Sequence, residues 1–400
     1  MNFGRLVVPT VLAVGLVIVG CSAQRAATPT ETRESTVGVS TSSSLSSTTL
    51  EAERPVLTVT FGSEFLGQGH VPGILKEALE HALADELEVT YSVLTLDQLA
   101  GRDAIAIAVG LDGGVGWLRG YGSALEAGIE SDLEAGISEA LLLPYRNSNG
   151  RLVGLPLVAT PWLVVADRDD VDPDITATSG TWCPIGSTGS PGDAASGVMT
   201  AAMASAYLDA TKPLTDHDIE AALAASQATI EKLQLNSRSS DSIGVDALLR
   251  GECRFHFGSW SLVAGSLLAQ GLSLVGPESP VVALPLQQLD RSIPTGQIGV
   301  IALGDSPVVD RAFQMILDST IAEDLADLGI GIALTADGPE SSSSGPLGLV
   351  AEAINDGYTL KPLLLDLIAE RDVETAPLGA WVDNRMTLGH ALTLTGLLSE

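Results

Sequence analysis

The sequence predicts a mixed α/β protein whose folded body has two lobes. Strand-like and helix-like segments alternate from Pro55: strands at Pro55–Thr60, Leu87–Leu94 and Ala104–Val109, and apolar residues at helical spacing over Val71–Leu83. The first and last of these strands run into Gly-rich loops, an order typical of a mainly parallel sheet flanked by helices. About 345 residues follow the N-terminal region, which is too many for one compact core and enough for two lobes.

The first 21 residues have the layout of a bacterial export signal. Arg5 precedes an uncharged apolar run, Leu6–Gly20, that is too short to span a bilayer. The IVGC segment that ends at Cys21 resembles a lipobox, which implies that Cys21 is diacylated and becomes the mature N-terminus. An ordinary secretory signal and an uncleaved anchor are the alternatives. We therefore expect a lipoprotein that is exported and anchored to the outer face of the bacterial cell membrane.

Residues 22–54 predict a disordered tether between the lipid and the folded body. They consist largely of Ser, Thr and Ala and contain almost no large side chain to bury. The whole chain carries a formal net charge of −30, which argues against nucleic acid as a partner because phosphate binding needs clustered Lys and Arg. We interpret the charge as a means of solubility.

The cysteines predict one disulfide. If Cys21 carries lipid, Cys183 and Cys253 remain as an even pair in an oxidising compartment, and we expect them to be bonded. Two buried free thiols are the alternative. A metal site is disfavoured because neither cysteine lies in a cluster with enough ligands, and we expect no metal and no cofactor.

Three segments of the body together resemble a known family. Asn147–Asp170 has polar turn residues, the triplets NGR and GLP, two short predicted strands and a carboxylate-rich turn. Leu249–Trp260 predicts a strand and a turn, and Pro285–Leu328 contains a predicted strand at Gln297–Leu303 followed by a helix in DSPVVDRAFQMILDST. In this order the segments resemble bacterial extracellular solute-binding proteins of ABC importers, of the maltose or oligosaccharide type.

The resemblance implies a type II periplasmic-binding-protein-like fold, in which discontinuous lobes are joined by hinge strands. Lobe 1 would comprise residues 55–160 and 289–325, and lobe 2 would comprise residues 161–288 and 326–400. It also implies a monomer that closes its lobes around a solute and then delivers that solute to a membrane permease.

Polar residues that follow the predicted strands are the first candidate ligand contacts. In α/β sheets the ligand sits at the carboxyl ends of the strands. Ser63 and Glu64 follow the first strand, and Asp112 follows the strand at Ala104–Val109. Carboxylates at this rim can accept hydrogen bonds from hydroxyls or from an amine, although a rim carboxylate is more often simply solvated.

Tryptophans are the second set of candidates, because sugars stack on exposed indoles. Trp260 and Trp381 lie at positions resembling tryptophans that line the cleft in maltose-type members of the family, and Trp162 follows the predicted crossover. The alternative is that these indoles pack inside the lobes.

An enzyme is not predicted. The sequence has no Gly-x-Ser-x-Gly elbow, P-loop or His-Glu-x-x-His motif, although a glycosidase pair of carboxylates distant in the chain would leave no such signature. We predict the lipid-anchored substrate-binding component of an ABC importer, with a sugar or oligosaccharide as its solute. The alternatives are a polyamine or other cation as ligand, suggested by the acidity, and a sensor or envelope partner that has the same fold without transport.

Overall fold

The order of elements is that of an α/β protein. The structure is a computed structural model that describes residues 54–61, 71–93, 98, 103–109, 114–170, 182–183, 192–212, 214–233, 244–276, 278–335, 338–340, 345–368, 374–383 and 385–397. The strands are β1 (Val56–Phe61), β2 (Glu88–Val93), β3 (Ala104–Val109), β4 (Gly154–Asp167), β5 (Phe255–Ser259), β6 (Val281–Leu284), β7 (Ser292–Ala302), β8 (Ile332–Thr335), β9 (Gly338–Glu340) and β10 (Thr359–Pro362).

The helices lie between these strands and in a C-terminal group. They are α1 (Val71–Leu83), α2 (Gly114–Arg119), α3 (Ala127–Gly136), α4 (Glu139–Leu142), α5 (Gly192–Ser205), α6 (Asp216–Leu233), α7 (Gly244–Leu249), α8 (Trp260–Ala269), α9 (Pro307–Leu317), α10 (Ile321–Asp327), α11 (Gly348–Asn355), α12 (Leu364–Ile368), α13 (Ala376–Val382) and α14 (Leu388–Thr395). The helix predicted at Val71–Leu83 is confirmed, as is a helix within DSPVVDRAFQMILDST. The latter begins at Pro307, and the Ser306 hydroxyl accepts a hydrogen bond from the Val309 N–H as its N-cap.

The first sheet contains the N-terminal strands. β1 pairs in parallel with β2 and with β3, which confirms the parallel arrangement predicted for this part of the chain. β7 then joins β3 in the antiparallel direction and leads to β4. The carboxyl ends of β1 and β3 consequently lie at one edge of the sheet, and α2 starts five residues after β3 ends.

β4 crosses from the first sheet to a second one. Its first half, Gly154–Pro161, pairs with β7, and its second half, Trp162–Asp167, pairs with β5 and β6. Two short strands were predicted here, and this prediction is wrong: the structure has one strand of 14 residues. A register shift between Pro156 and Val158 absorbs the proline without ending the strand.

Three strands from the segment that the sequence assigns to lobe 2 lie in the first sheet. β8 pairs with β4 at Val158 and Ala159, β9 pairs with β8, and β10 runs parallel to the start of β7 at Ser292–Thr295. Several segments of the chain therefore meet along the β4–β7 pair.

Buried apolar side chains form one large cluster and two smaller ones. The large cluster fills the first sheet and its helices and continues along one face of the second half of β4. The opposite face of that half packs on α5, where Met199 and Met203 lie with Trp162 and Phe257. Helices α5, α6, α12, α13 and α14 enclose the third cluster. α5 is thus the helix that covers the second half of β4.

Cys183 and Cys253 form the predicted disulfide. Their Cα atoms are 5.0 Å apart, and both residues are buried. The bond attaches the segment that holds Trp182 to the chain just before β5, where Trp182 also forms a β-bridge with Phe255.

Gly197 lies where α5 meets the start of α13, and its replacement should be costly. A Cβ on this residue would overlap the carbonyl oxygen of Thr375. Because backbone atoms cannot rotate away, we expect Gly197→Ala to lower the free energy of unfolding by about 1–3 kcal/mol. Gly73→Ala is the matched control: Gly73 lies in α1 with no atom within 4 Å of the new Cβ, so the change should stabilise by up to about 1 kcal/mol. Urea denaturation of both variants measures the difference, and equal stabilities would contradict this interpretation.

Candidate functional site

The predicted polar rim lies outside the described residues. Ser63, Glu64 and Asp112 fall in segments that the structure does not describe, and so does Cys21. Their roles therefore stay predictions. The described residues nearest to this rim in sequence are Phe61 at the end of β1, two residues before Ser63, and Gly114 at the start of α2, two residues after Asp112.

Trp260 and Trp381 are core residues in the structure. Trp260 is 0 % exposed, lies in the large apolar cluster and donates its indole N–H to the carbonyl oxygen of Gly329 at 2.8 Å. Trp381 is 6 % exposed and lies in the cluster enclosed by α5, α6 and the C-terminal helices. Stacking needs an accessible ring face, and neither indole has one here. The structure thus does not support ligand contact by either tryptophan, and it corrects both positions to packing residues.

Trp162 is also buried, but its indole N–H, unlike that of Trp260, has no hydrogen-bond partner among the described residues. Its side chain is 4 % exposed, and its ring packs against Phe257 with 5.8 Å between ring centroids. The predicted stacking of a sugar on this ring is therefore not supported either. The indole Nε1 is buried and meets no hydrogen-bond partner among the described residues.

Two buried hydroxyl groups also lack a hydrogen-bond partner within the described ranges. Thr160 lies two residues earlier on β4, and Ser196 lies on α5; both side chains are fully enclosed. Within the described ranges, neither Thr160 Oγ1 nor Ser196 Oγ has a hydrogen-bond partner. Thr160, Trp162 and Ser196 thus each carry a buried polar atom without a partner among the described residues. Such atoms are uncommon in folded proteins, because buried polar groups are normally hydrogen-bonded.

A second polar arrangement joins α2 to α12. One carboxylate oxygen of Asp366 accepts a hydrogen bond from the Val115 N–H at 3.3 Å, and the Arg119 guanidinium donates to the carbonyl oxygens of Leu143, Pro144 and Leu367 at 3.2–3.4 Å. Asp366 is 1 % exposed and Arg119 is 7 % exposed. These contacts attach α2, which starts two residues after Asp112 in the sequence, to the C-terminal segment.

The Tyr145 hydroxyl belongs to the same region. Burial raises its pKa well above the usual value, and the negative charge of Asp366 raises it further. Its oxygen also lies where a side chain on Gly299 of β7 would be, so the tyrosine packs directly on the β4–β7 pair. Tyr145 is consequently neutral in the folded protein and can act only as a hydroxyl group.

The sequence indicated part of this site. It singled out Trp162 from its position after the crossover, but with the ring face as the binding surface. It missed Thr160, Ser196 and Asp366, because no local pattern distinguishes them from other hydroxyls and carboxylates. The one available signal was the position of Thr160 in the ATPW segment of a strand predicted to cross between lobes.

Neither a metal site nor a membrane span is seen in the described part of the chain. No group of three or more His, Cys, Asp or Glu side chains is close enough there to hold a metal ion. Likewise, none of the described helices combines the length and apolarity needed to cross a bilayer.

The fold is that of the type II periplasmic-binding-protein-like solute receptors. No family model matches the sequence, and no curated protein matches it. Solved structures of bacterial sugar receptors do match in three dimensions. One is the bacterial solute receptor AcbH, with an exclusive substrate preference for β-D-galactopyranose; the identity is 12 %, the TM-score is 0.61, and the match covers 86 % of this chain and 97 % of the receptor.

Two further matching structures are of proteins that are named for oligosaccharides. A cyclic α-maltosyl-1,6-maltose binding protein from Arthrobacter globiformis matches with 12 % identity and a TM-score of 0.54, over 86 % of this chain and 99 % of that protein. A cyclo/maltodextrin-binding protein, solved with maltotetraose, matches with the same identity and TM-score over 87 % and 97 %. These similarities confirm the fold that the sequence resemblance implied.

Proposed function

We propose that the chain is the substrate-binding component of an ABC importer and that its solute is a sugar or oligosaccharide. In this proposal the diacylated Cys21 anchors the protein to the outer face of the cell membrane, residues 22–54 act as a tether, and the two lobes close around the solute before a permease receives it. The protein itself catalyses no reaction.

The observation that carries the proposal is the crossing of β4 between two sheets. A strand of 14 residues pairs with β7 in one sheet and with β5 and β6 in the other. Such a strand allows two bodies to rotate about a common hinge, and a ligand that touches both bodies favours the closed state. The fold supports the same conclusion, because the receptors that share it are named for sugars.

A ligand titration of the full chain tests the proposal. We expect D-galactose or maltotetraose to bind saturably and to stabilise the protein by about 2.7 kcal/mol at a ligand concentration of 100 Kd, because the ligand binds only the folded state. Calorimetric titration measures binding, and thermal unfolding measures stabilisation.

Two other outcomes separate the alternatives. Binding of spermidine without binding of either sugar would favour the polyamine alternative, which the net charge of −30 motivates. Binding of none of the three probes would contradict the proposed function.

A further inference from the structure

We propose that Asp366 and Arg119 form a polar latch between α12 and α2, and that this latch helps to hold the two lobes closed around the solute. The inference rests on the proposed function, because it concerns the closure by which a solute is retained. Neither residue touches the solute in this proposal. Both are positioning residues, which act through the two helices that they join.

The apolar side chains of α12 pack with the helices that cover the second sheet. Leu364 and Leu365 are buried in the third cluster, to which α5, α6, α13 and α14 also contribute. The Leu364 N–H donates a hydrogen bond to the Ser205 hydroxyl, at the end of α5, at 2.7 Å. Because α5 in turn covers the second half of β4, α12 moves with the second sheet when the two sheets rotate about the hinge.

The apolar side chains of α2 pack with the first sheet instead. Val115 and Leu118 are buried in the large cluster, together with side chains of β1 and β3. Leu364 and Leu365 of α12 lie in a different cluster. The two helices therefore belong to separate apolar cores, although they are in contact with each other.

Hydrogen bonds join the two helices across this boundary. The Asp366 carboxylate accepts from the Val115 N–H at 3.3 Å, and the Arg119 guanidinium donates to the Leu367 carbonyl oxygen at 3.2 Å. The same guanidinium donates to two carbonyl oxygens just before Tyr145, which fixes it to the first-sheet side. Water can replace polar contacts when helices separate, whereas an apolar core resists exposure. The boundary between α2 and α12 is thus a place where the two bodies can part.

The latch is shut in the structure. Asp366 and Arg119 are both buried, so water is excluded from both charged groups. Separation of the helices would hydrate the groups again. Truncation of Asp366 in the shut state would instead leave the Val115 N–H buried without this acceptor, which is costly. Truncation therefore favours the separated state.

The position of the latch indicates which state it favours. α2 follows β3, and the carboxyl ends of the parallel strands β1 and β3 form the edge of the sheet at which a ligand is expected. A contact at this edge between helices of the two bodies narrows the opening through which a solute leaves. The latch consequently belongs to the closed state, and its contacts add to those that a solute makes with both bodies.

Truncation of Asp366 tests the inference through binding kinetics. We expect Asp366→Ala to raise the dissociation rate constant of D-galactose or maltotetraose by about tenfold, because a hydrogen bond to a charged group no longer opposes opening. Asp366→Asn should have a smaller effect, since its amide oxygen can still accept from the Val115 N–H. It also provides the test if the alanine variant fails to fold. Stopped-flow mixing measures the rate constants.

Ser205→Ala is the matched control. Ser205 is as buried as Asp366, and its hydroxyl likewise accepts a backbone N–H, that of Leu364. Both partners of this bond lie on the second-sheet side, so the bond does not cross the boundary. We expect a lower melting temperature for Ser205→Ala and an unchanged dissociation rate constant. Equal dissociation rate constants for the wild type, Asp366→Ala and Ser205→Ala would overturn the latch and leave the proposed function intact.

A distance measurement tests the latch without a solute. Spin labels on Gly120→Cys, directly after α2, and on Glu374→Cys, shortly before α13, lie at exposed positions on the two sides of the boundary. We expect Asp366→Ala to lengthen the distance between the labels, measured by pulsed electron paramagnetic resonance, and Ser205→Ala to keep it. An unchanged distance in Asp366→Ala would overturn the latch. Failure of the wild type to bind either sugar would contradict the proposed function, whereas a lengthened distance would still support the latch as a contact between the two bodies.

Discussion

Replacement of both Cys183 and Cys253 by alanine should lower the free energy of unfolding by about 4 kcal/mol. The disulfide closes a loop with a sequence separation of 70 residues, and the cost of closing such a loop in the unfolded chain is removed when the bond is present. Urea denaturation under non-reducing conditions measures the difference. Alanine is the suitable replacement because both sulfurs are buried, where a serine hydroxyl would add an unrelated penalty.

Chemical reduction provides the control for this experiment. The wild-type protein with a reducing agent should unfold at nearly the same urea concentration as the double alanine variant, whereas the variant itself should not respond to the agent. Equal stability of the oxidised wild type and the variant would contradict a stabilising role for the bond.

The second large effect is a loss of stability between pH 6.5 and pH 4 that depends on His256. This residue lies on β5 opposite Val165, is buried, and has an Nδ1 atom without a hydrogen-bond partner in the described part of the chain. Burial lowers its pKa from 6.5 to about 4, because the charged imidazolium would lose its hydration.

The sign of the pH effect follows from the lowered pKa. Above pH 6.5 the imidazole is neutral in both states and does not affect stability. Between pH 6.5 and 4 the unfolded chain binds a proton that the folded chain does not, so the free energy of unfolding falls as the pH falls. The full loss attributable to His256 is about 3 kcal/mol.

His256→Phe should remove this loss while it keeps an aromatic ring in the core. We expect the free energy of unfolding of the wild type to decrease between pH 7 and pH 4.5 by about 2–3 kcal/mol more than that of the variant. His81→Phe, on the exposed surface of α1, serves as the matched control and should keep the wild-type slope. Parallel slopes for wild type and His256→Phe would show that His256 does not cause the effect.

The parts of the fold that sequence predicted well depend on local patterns. Alternating β-branched residues marked β1, helical spacing of apolar residues marked α1, and a buried apolar run marked β3. In each case the signal lies within a few residues of chain. The prediction for β4 was wrong because a proline such as Pro156 usually interrupts a strand. Here the strand stays continuous through its pairing with β7, more than a hundred residues later in the chain.

The site was harder to predict, because burial is decided by distant parts of the chain. Trp260 and a cleft tryptophan look alike in sequence, but the Trp260 indole finds its acceptor at Gly329, 69 residues away. Thr160 and Thr295 are both buried threonines on the paired strands β4 and β7. The structure alone shows that the Thr295 hydroxyl is hydrogen-bonded, whereas the Thr160 hydroxyl has no partner among the described residues.

Local patterns and the count of cysteines were enough to predict the α/β class and the bond between Cys183 and Cys253, which the structure confirms. The export signal that ends at Cys21 stays a prediction from the sequence. Only the packing of the folded chain shows that Trp260 and Trp381 are core residues and that the polar atoms of Thr160, Trp162 and Ser196 are buried without a partner among the described residues. The physical reason is that solvent exclusion and hydrogen-bond partnership depend on packing between elements far apart in the chain.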